Sequence, residues 1–276
     1  MLDLFQGLQN SGIDNFQYLL TGYLPDAATV AAVGSIAEKL KKKDPNIIWS
    51  KFPRWHLLLL VLDPVMGDDG DLYVAKEVVP VYKSIVPKAD IILPNQYEAE
   101  WLSDCTLDTI DSIVPCLDRL HQVYQVKHIV ISSLRLISHP GVILCCGSTA
   151  RTDFTSRAFM IEASIINGPF VGTGDLFAAL LLARLHPFAG ELAPKDLVSP
   201  TELPLAKAVE LVMASMQGVL LKTKDAMDKQ FELDGDRSLL TKKEIQVAEM
   251  RARELRLVGS QDDLVRPQVA ALAVEL

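Results

Sequence analysis

Residues 168–175 read G-P-F-V-G-T-G-D and run directly into L-F-A-A-L-L-L-A at 176–183. Three glycines within seven residues, Gly168, Gly172 and Gly174, lead to one acid, Asp175, and then to apolar residues that form helices well. A permissive loop therefore feeds a buried helix whose N-terminus falls near Thr173, Gly174 and Asp175. Unpaired backbone N–H groups and the positive end of the helix dipole gather there, and together they favour a phosphate or a developing anion. Glycine lets the backbone approach such a ligand with no Cβ in the way. Asp175 has two readings: an acid stabilised by the dipole, or a base held beside bound phosphate. Helix physics alone does not choose between them.

The rest of the chain supplies a scaffold for that loop. Residues 1–10 place Leu2, Leu4, Phe5 and Leu8 near helical spacing. Residues 16–21 read as a strand ending in Gly22-Tyr23, and 26–43 as an Ala-rich helix with its lysines at the C-terminal end, where cations suit the dipole. A strand begins at 46–49, is interrupted by S-K-F-P-R-W at 50–55, and resumes in a leucine run that ends at Asp63-Pro64. A Gly/Asp-rich loop at 67–71 precedes a helix over 74–86 and a short strand over 89–93 that ends at Pro94-Asn95. Helices around 97–103 and 108–123 lead to a strand at 127–132 and a strand pair at 142–146 and 158–161. After the Gly-rich loop the helix reaches about 185, a loop covers 187–204, and a strongly apolar helix spans 205–221. Residues 224–239 read as a mobile polar surface loop, 241–256 as a charged helix and 269–274 as a terminal strand.

Strands alternating with helices predict an α/β domain with a mostly parallel central sheet, and such sheets bind ligands beyond the C-terminal ends of their strands. The unusual residues fall at those ends: Thr21-Gly22-Tyr23, Asp63, Asn95, Ser132-Ser133 and the Gly172 to Asp175 loop. No internal repeat or linker interrupts the chain, so residues 1–276 read as a single domain.

Composition narrows the class. Net charge is -8, from 27 basic and 35 acidic residues, which argues against a nucleic-acid partner. Cys105, Cys116, Cys145 and Cys146 form no CxxC pair, and the adjacent Cys145 and Cys146 would face opposite sides of a strand, so reduced thiols in an intracellular setting are expected. Met1 is followed by acidic Asp3 rather than a basic and then apolar run, so no signal peptide is expected. The leucine run at 57–62 is too short to span a bilayer, and no membrane association is expected. The five histidines are scattered without metal-ligand spacing.

Four blocks occur in order: L-T-G-Y at 20–23, D-P-V-M-G-D at 63–68, L-P-N-Q-Y-E-A-E at 93–100 and F-V-G-T-G-D-L-F-A-A at 170–179. Together they resemble the pyridoxal kinases of the ribokinase-like superfamily, and the resemblance extends over nearly the whole chain. The G-T-G-D block marks the superfamily; the others narrow it to vitamin B6 kinases. The resemblance implies a three-layer α/β/α fold and ATP-dependent phosphorylation of the 5′-hydroxyl of pyridoxal, pyridoxine and pyridoxamine. Asp175 matches the family's catalytic base, and the N–H groups of Gly172 to Gly174 match its anion hole. Asp63 and Glu98 match acids that hold Mg²⁺–ATP, mostly through water. Asn95 matches a residue that contacts ATP phosphate. Ser132 and Ser133 match hydroxyls beside the nucleotide, and Thr173 lies on the ATP side. Asp68 matches a site near a monovalent cation, K⁺ or Na⁺. Tyr73 lies in the loop that covers nucleotide and substrate, and Tyr23 matches an aromatic that lines the pyridoxal pocket. The resemblance also implies a cytoplasmic protein, with the nucleus as a second location.

Each residue has a plainer structural reading. Asp63 before Pro64 could end a strand, Asn95 could be a turn residue, Glu98 a first-turn helix acid, Ser132-Ser133 a strand end and Tyr23 core. Three features depart from the family. The chain starts late relative to it, so the sheet is expected to lack the usual first strand or strands, with apolar surface left exposed and part of the homodimer-building surface missing. Residues 50–60 read as an insertion, since Lys51, Pro53 and Arg54 do not suit a central strand. Leu93 stands where the family often has threonine, which bears on the monovalent-cation site. Two other functions remain open: a kinase for another hydroxymethyl heterocycle such as hydroxymethylpyrimidine, and a non-catalytic nucleotide- or partner-binding remnant of the fold.

Overall fold

A two-residue alternation sorts the central strands between two apolar cores, and this places helices on both faces of one sheet. The structure, a computed structural model, describes residues 1–42, 59–188, 196–233 and 241–276. In chain order the elements are α1 (Leu2–Asn10), β1 (Tyr18–Leu20), α2 (Ala27–Lys42), β2 (Leu59–Leu62), β3 (Gly67–Asp68), β4 (Asp71–Leu72), α3 (Val78–Ile85), β5 (Ile91–Ile92), α4 (Gln96–Ser103), α5 (Ile113–Tyr124), β6 (His128–Leu134), β7 (Val142–Thr149), β8 (Ala158–Ser164), α6 (Thr173–Leu185), α7 (Pro204–Leu233), α8 (Lys242–Ala252), α9 (Gln261–Val265) and β9 (Val274–Glu275).

The main sheet runs β1-β2-β5-β6-β7-β8-β9. Its first four strands pair in parallel, and the last three follow antiparallel. Leu60, Leu62, Ile92, Ile129 and Cys146 join a core with α2, α3, α4 and α5, whereas Leu59, Val61, Ile91, Val130 and Cys145 join a second core with α6 and α7. Cys145 and Cys146 thus face opposite layers as their adjacency predicts, and all four cysteines are free. Each fully buried aliphatic side chain in these layers contributes about 1.5–3 kcal/mol, which fixes the register: a one-residue slip would exchange the two faces.

Several local expectations change. The 67–71 stretch is a two-residue hairpin rather than an open loop: β3 pairs antiparallel with β4, and Asp69 and Gly70 turn with φ of 51° and 86°. Two consecutive positive φ values are what an Asp-Gly pair supplies in a tight hairpin turn. The helix expected over 74–86 starts only at Val78 and finishes in a 3₁₀ turn, Val86–Lys88. The helix expected over 108–123 divides into a 3₁₀ turn, Ile110–Ser112, capped by Thr109, followed by α5. The terminal strand shrinks to Val274–Glu275.

The polar stretch beyond 224 is helical as far as Leu233, not a surface loop. Two i,i+4 ion pairs, Lys224–Asp228 at 3.0 Å and Asp225–Lys229 at 2.7 Å, brace its exposed side, while Thr223 and Met227 stay buried. Residues 234–240 lie outside the described residues. By length and composition α7 could cross a bilayer, but 56% of that stretch is buried inside the protein, as in a core helix.

The strand start at 46–49 and most of the 50–60 stretch also lie outside the described residues. Leu59 and Leu60 do not: they are the first half of β2 and pair with Tyr18 and Leu19. The leucine run itself therefore supplies the buried strand, and those two residues belong to the sheet rather than to an insertion. β1 is an edge of the sheet, and nearby Leu4, Ile13 and Phe16 are exposed.

Candidate active site

The four parallel strands run side by side, and each delivers polar residues to the same end of the sheet. β1 runs into Thr21-Gly22-Tyr23, β2 into Asp63, β5 into Pro94-Asn95, and β6 carries Ser132 and Ser133. Thr21 fixes the height of Asp63: its Oγ1 accepts the Asp63 N–H at 3.1 Å, and the hydroxyl faces the Asp63 carbonyl at 3.4 Å. At Ser132-Ser133 the β6–β7 pairing slips by one residue, since Ile131 faces Cys146 but Leu134 faces Leu144. This bulge takes the two serines out of the β7 pairing, while the Ser132 N–H donates to the Pro94 carbonyl at 2.9 Å on the β5 side, as the His128 N–H does to Asp90.

Glu98 is the first-turn helix acid of its plain reading, whereas Asn95 is a helix N-cap rather than a turn residue. Asn95 caps α4 by accepting the Glu98 N–H at 2.9 Å, and the Glu98 carboxylate reaches back to the Asn95 N–H at 2.8 Å. Both do more. Asn95 Nδ2 donates to the Gly67 carbonyl at 2.7 Å, and the other Glu98 oxygen accepts the Met66 N–H at 2.9 Å. The pair ties the helix start to the irregular segment that follows Asp63 and to the β3–β4 hairpin. Gly67 is required there, because a Cβ would lie 2.1 Å from the Asp71 carbonyl oxygen.

On the opposite side the Gly-rich loop arrives as α6 begins. Gly172 is the N-cap, with φ of 83°, a left-handed conformation that glycine adopts without strain. Val171 is anchored by its N–H donating to the Arg253 carbonyl at 3.2 Å. Thr173, Gly174 and Asp175 form the first turn; Phe177, Ala178, Leu181 and Leu185 bury the inner stripe of the helix. Asp175 itself is exposed and is set against β1: a Cβ on Gly22 would lie 3.2 Å from its Oδ1. A Cβ on Gly174 would lie 4.0 Å from Asp63 Oδ2. The anion-favouring helix start therefore faces the strand-end acids across a narrow gap.

Those acids are under electrostatic pressure. Burial, and then the charge of Asp175, push the Asp63 carboxyl up to about 7. Burial pushes Glu98 up to about 8 against the pull of backbone N–H bonds from Asn95, Met66 and Gly67, with Asp63 adding to the rise. Two buried carboxylates with an uncompensated tendency to stay protonated are a site that lacks positive charge.

The remaining expected residues are more peripheral. Asp68 is exposed on the hairpin and accepts the Asp69 N–H at 2.9 Å. Tyr73 is 62% exposed just beyond the hairpin, and Tyr23 is 56% exposed beside Gly22. Asp68 does not join Asp63 and Glu98 in a compact ligand set: among the described residues no group of three or more His, Cys, Asp or Glu could hold a metal ion. Thr21 was singled out from sequence only within the strand-end Thr21-Gly22-Tyr23 and was given no role, and the fully buried Tyr82 was not singled out at all. Thr21 had a signal, a hydroxyl closing an apolar strand; Tyr82 had none, because its spacing with Val78 and Ile85 is that of any core stripe.

This geometry has close counterparts. The family described as Phosphomethylpyrimidine kinase matches residues 21–191. The pyridoxal kinase of Sus scrofa is 33% identical over 286 residues, covering 99% of this chain and 77% of its own length. The pyridoxal kinase of Homo sapiens is 33% identical over 225 residues, covering 77% of this chain and 68% of its own length. Among solved structures, Plasmodium falciparum PdxK with AMP-PNP and PL superposes with a TM-score of 0.72 at 25% identity, covering 100% of this chain and 80% of that one. Pyridoxal kinase from Leishmania donovani with ADP and pyridoxamine gives 0.73 at 25% identity, covering 99% and 79%. A glycine-rich helix start facing strand-end acids in a three-layer fold, in a chain matched along nearly its full length by these relatives, places it among the pyridoxal kinases of the ribokinase-like superfamily, as a nucleotide-binding phosphotransferase.

Proposed function

We propose that the chain transfers the γ-phosphoryl group of ATP to the 5′-hydroxyl of pyridoxal, pyridoxine and pyridoxamine. The observation that carries this reading is the position of Asp175: an exposed carboxylate on the first turn of α6, beside Gly22 and opposite Asp63. In that place it can accept the substrate hydroxyl proton as the oxygen attacks the γ-phosphorus and the bond to the ADP oxygen breaks. The N–H groups of Gly172, Thr173 and Gly174 then meet the charge that gathers on the transferring group, where fixed donors are worth most. Tyr23 and Tyr73 flank the substrate side. Ser132, Ser133 and Asn95 line the nucleotide side; Asn95 has one Nδ2 proton left for phosphate after its bond to Gly67.

Asp63 and Glu98 suit a divalent cation. They offer hard carboxylate oxygens whose raised proton affinity a cation would relieve, and two carboxylates leave the other positions to water and phosphate, as Mg²⁺ prefers. Bound Mg²⁺ would shield the phosphate charge. A K⁺ or Na⁺ site by Asp68 has weaker support, because Leu93 is buried in the apolar core beneath α6 and α7 and brings no hydroxyl. We further infer a cytoplasmic setting, in keeping with four free thiols, and a homodimer by likeness to the family.

Substrate comparison tests the reading. The chain with ATP, Mg²⁺ and K⁺ should phosphorylate the three B6 vitamers far faster than hydroxymethylpyrimidine, and the reverse ranking would overturn the assignment.

A further inference from the structure

The helix that carries Asp175 is held at both ends by one segment of chain. Between Ile165 and Gly172, among the described residues, the Gly-rich loop is tied to other segments at one place. That place is Val171, whose N–H donates to the Arg253 carbonyl at 3.2 Å and which pairs with Glu254 in a parallel bridge. At the far end of α6 the Arg184 guanidinium donates to the Leu264 carbonyl. Both anchors lie on residues 253–264, which lead from α8 into α9. The 13 residues of α6 make a rod about 20 Å long, at about 1.5 Å per residue, so the two anchors brace its whole length.

The same segment is fixed to α7. Thr223 is fully buried there; its hydroxyl donates to the Val219 carbonyl at 2.7 Å and accepts the Arg256 N–H at 3.1 Å. The Ser215 hydroxyl donates to the Asp263 carbonyl at 2.8 Å, and Lys222 pairs with the Asp263 carboxylate at 2.7 Å. The two backbones come so close that a Cβ on Gly218 would lie 2.6 Å from Asp263 Cγ. Between α6 and α7 themselves the shared core is apolar, with Phe177, Leu181 and Leu185 beside Val209 and Val212. Apolar burial opposes separation of the two helices but has no direction of its own. The hydrogen bonds of 253–264 supply direction, because they hold only at one position of α6 along its axis.

We propose that residues 253–264 are a splint that sets how far the first turn of α6 stands from Asp63, and that Thr223, whose hydroxyl locks this splint to α7, is a positioning residue for phosphoryl transfer. The inference rests on the reading of that turn as the transfer site. The gap to be held is small, since a Cβ on Gly174 would lie 4.0 Å from Asp63 Oδ2. Backbone N–H groups stabilise a developing charge when they are already aimed at the place where it forms. A misplacement of about 1 Å can cost about a hundredfold in rate. Binding of ADP, which lacks the transferring group, is indifferent to that aim.

The test uses the full chain with ATP, Mg²⁺ and pyridoxal, well below its melting temperature, beside a separate ADP titration. Thr223→Val keeps the shape and removes the hydroxyl. Its kcat should fall about tenfold, inside the range that misplacement produces, with ADP affinity unchanged, and Thr223→Ser should restore the rate. Equal kcat in Thr223→Val and the unaltered chain would overturn the inference and leave the transfer reading standing, even if the variant melted at a lower temperature. Loss of ADP affinity in step with kcat would also overturn it, because the whole nucleotide site would then be disturbed. No product from the unaltered chain with ADP bound would overturn the transfer reading and the inference with it. Should Thr223→Val fail to fold, Arg184→Met decides from the other end of α6: a lower kcat at unchanged ADP affinity supports the splint, and an unchanged kcat sinks it.

Discussion

Two kinds of acid meet at the end of the sheet. Asp175 is exposed, carried on a helix start that sits over a glycine loop. Asp63 and Glu98 are buried at 7% and 3% exposure, fixed by strand ends and backbone N–H bonds. An exposed acid at a positive helix end is free to exchange a proton with a substrate. Buried acids with raised pKa values are poor at that and good at gathering a cation. The same residue type thus serves two roles, and the setting assigns them.

The largest effect should come from Asp175. Asp175→Asn keeps shape and removes the base, so kcat should fall about 10²–10⁴-fold, the usual contribution of general base catalysis, while nucleotide affinity holds; a steady-state assay with a separate ADP titration measures both. Next comes Asp63→Asn. The apparent Mg²⁺ requirement should rise at least tenfold, in the range of losses seen when groups at a metal site are removed. The metal-free chain should melt at a higher temperature at pH 8, because a charge no longer has to be buried. A variant that lost stability instead would reverse the contrast between the two kinds of acid.

The pH dependence of stability sharpens the same point. Asp63 rises from 3.8 to about 7 and Glu98 from 4.5 to about 8 on folding, so the folded chain holds protons that the unfolded chain releases. Without metal, stability should therefore fall as pH rises through this window. Buried His128, lowered from 6.5 to about 3, acts the other way: the unfolded chain binds its proton first, and stability rises with pH between those values. Above about pH 7, where the unfolded histidines have mostly lost their protons, the acids dominate, and chemical denaturation should show a decline that Mg²⁺ with a nucleotide analogue reverses. The smallest effect is expected at Gly22. Gly22→Ala crowds Asp175 Oδ1 at 3.2 Å without forcing the backbone, so kcat should fall a few-fold with melting unchanged.

The two faces of the sheet and the strand ends were legible in sequence because two-residue and helical periodicities are written in side chains such as Leu59 to Leu62 and Phe177 to Leu185. The Gly-Thr-Gly-Asp loop was legible because few other jobs need those residues together. What sequence misjudged was local competition. Lys224 and Asp228 look like loop residues by polarity, yet their i,i+4 spacing extends α7. Asp69-Gly70 looked like slack and is a hairpin turn. Asn95 and Glu98 were read as either structural or functional, and their contacts make them structural at the least, since the capping box also fixes the hairpin.

The central claim is that the Gly-rich helix start and Asp175 form a working phosphoryl-transfer site. The most direct measurement is pyridoxal 5′-phosphate formation by the purified chain with ATP, Mg²⁺ and K⁺, run beside Asp175→Asn under the same conditions. Steady product formation by the chain, reduced at least a hundredfold in the variant while the variant still binds ADP, is the predicted result. Equal rates in the two proteins would contradict the assignment of the base, and binding of ADP with no product from either would contradict the claim that this site performs the transfer.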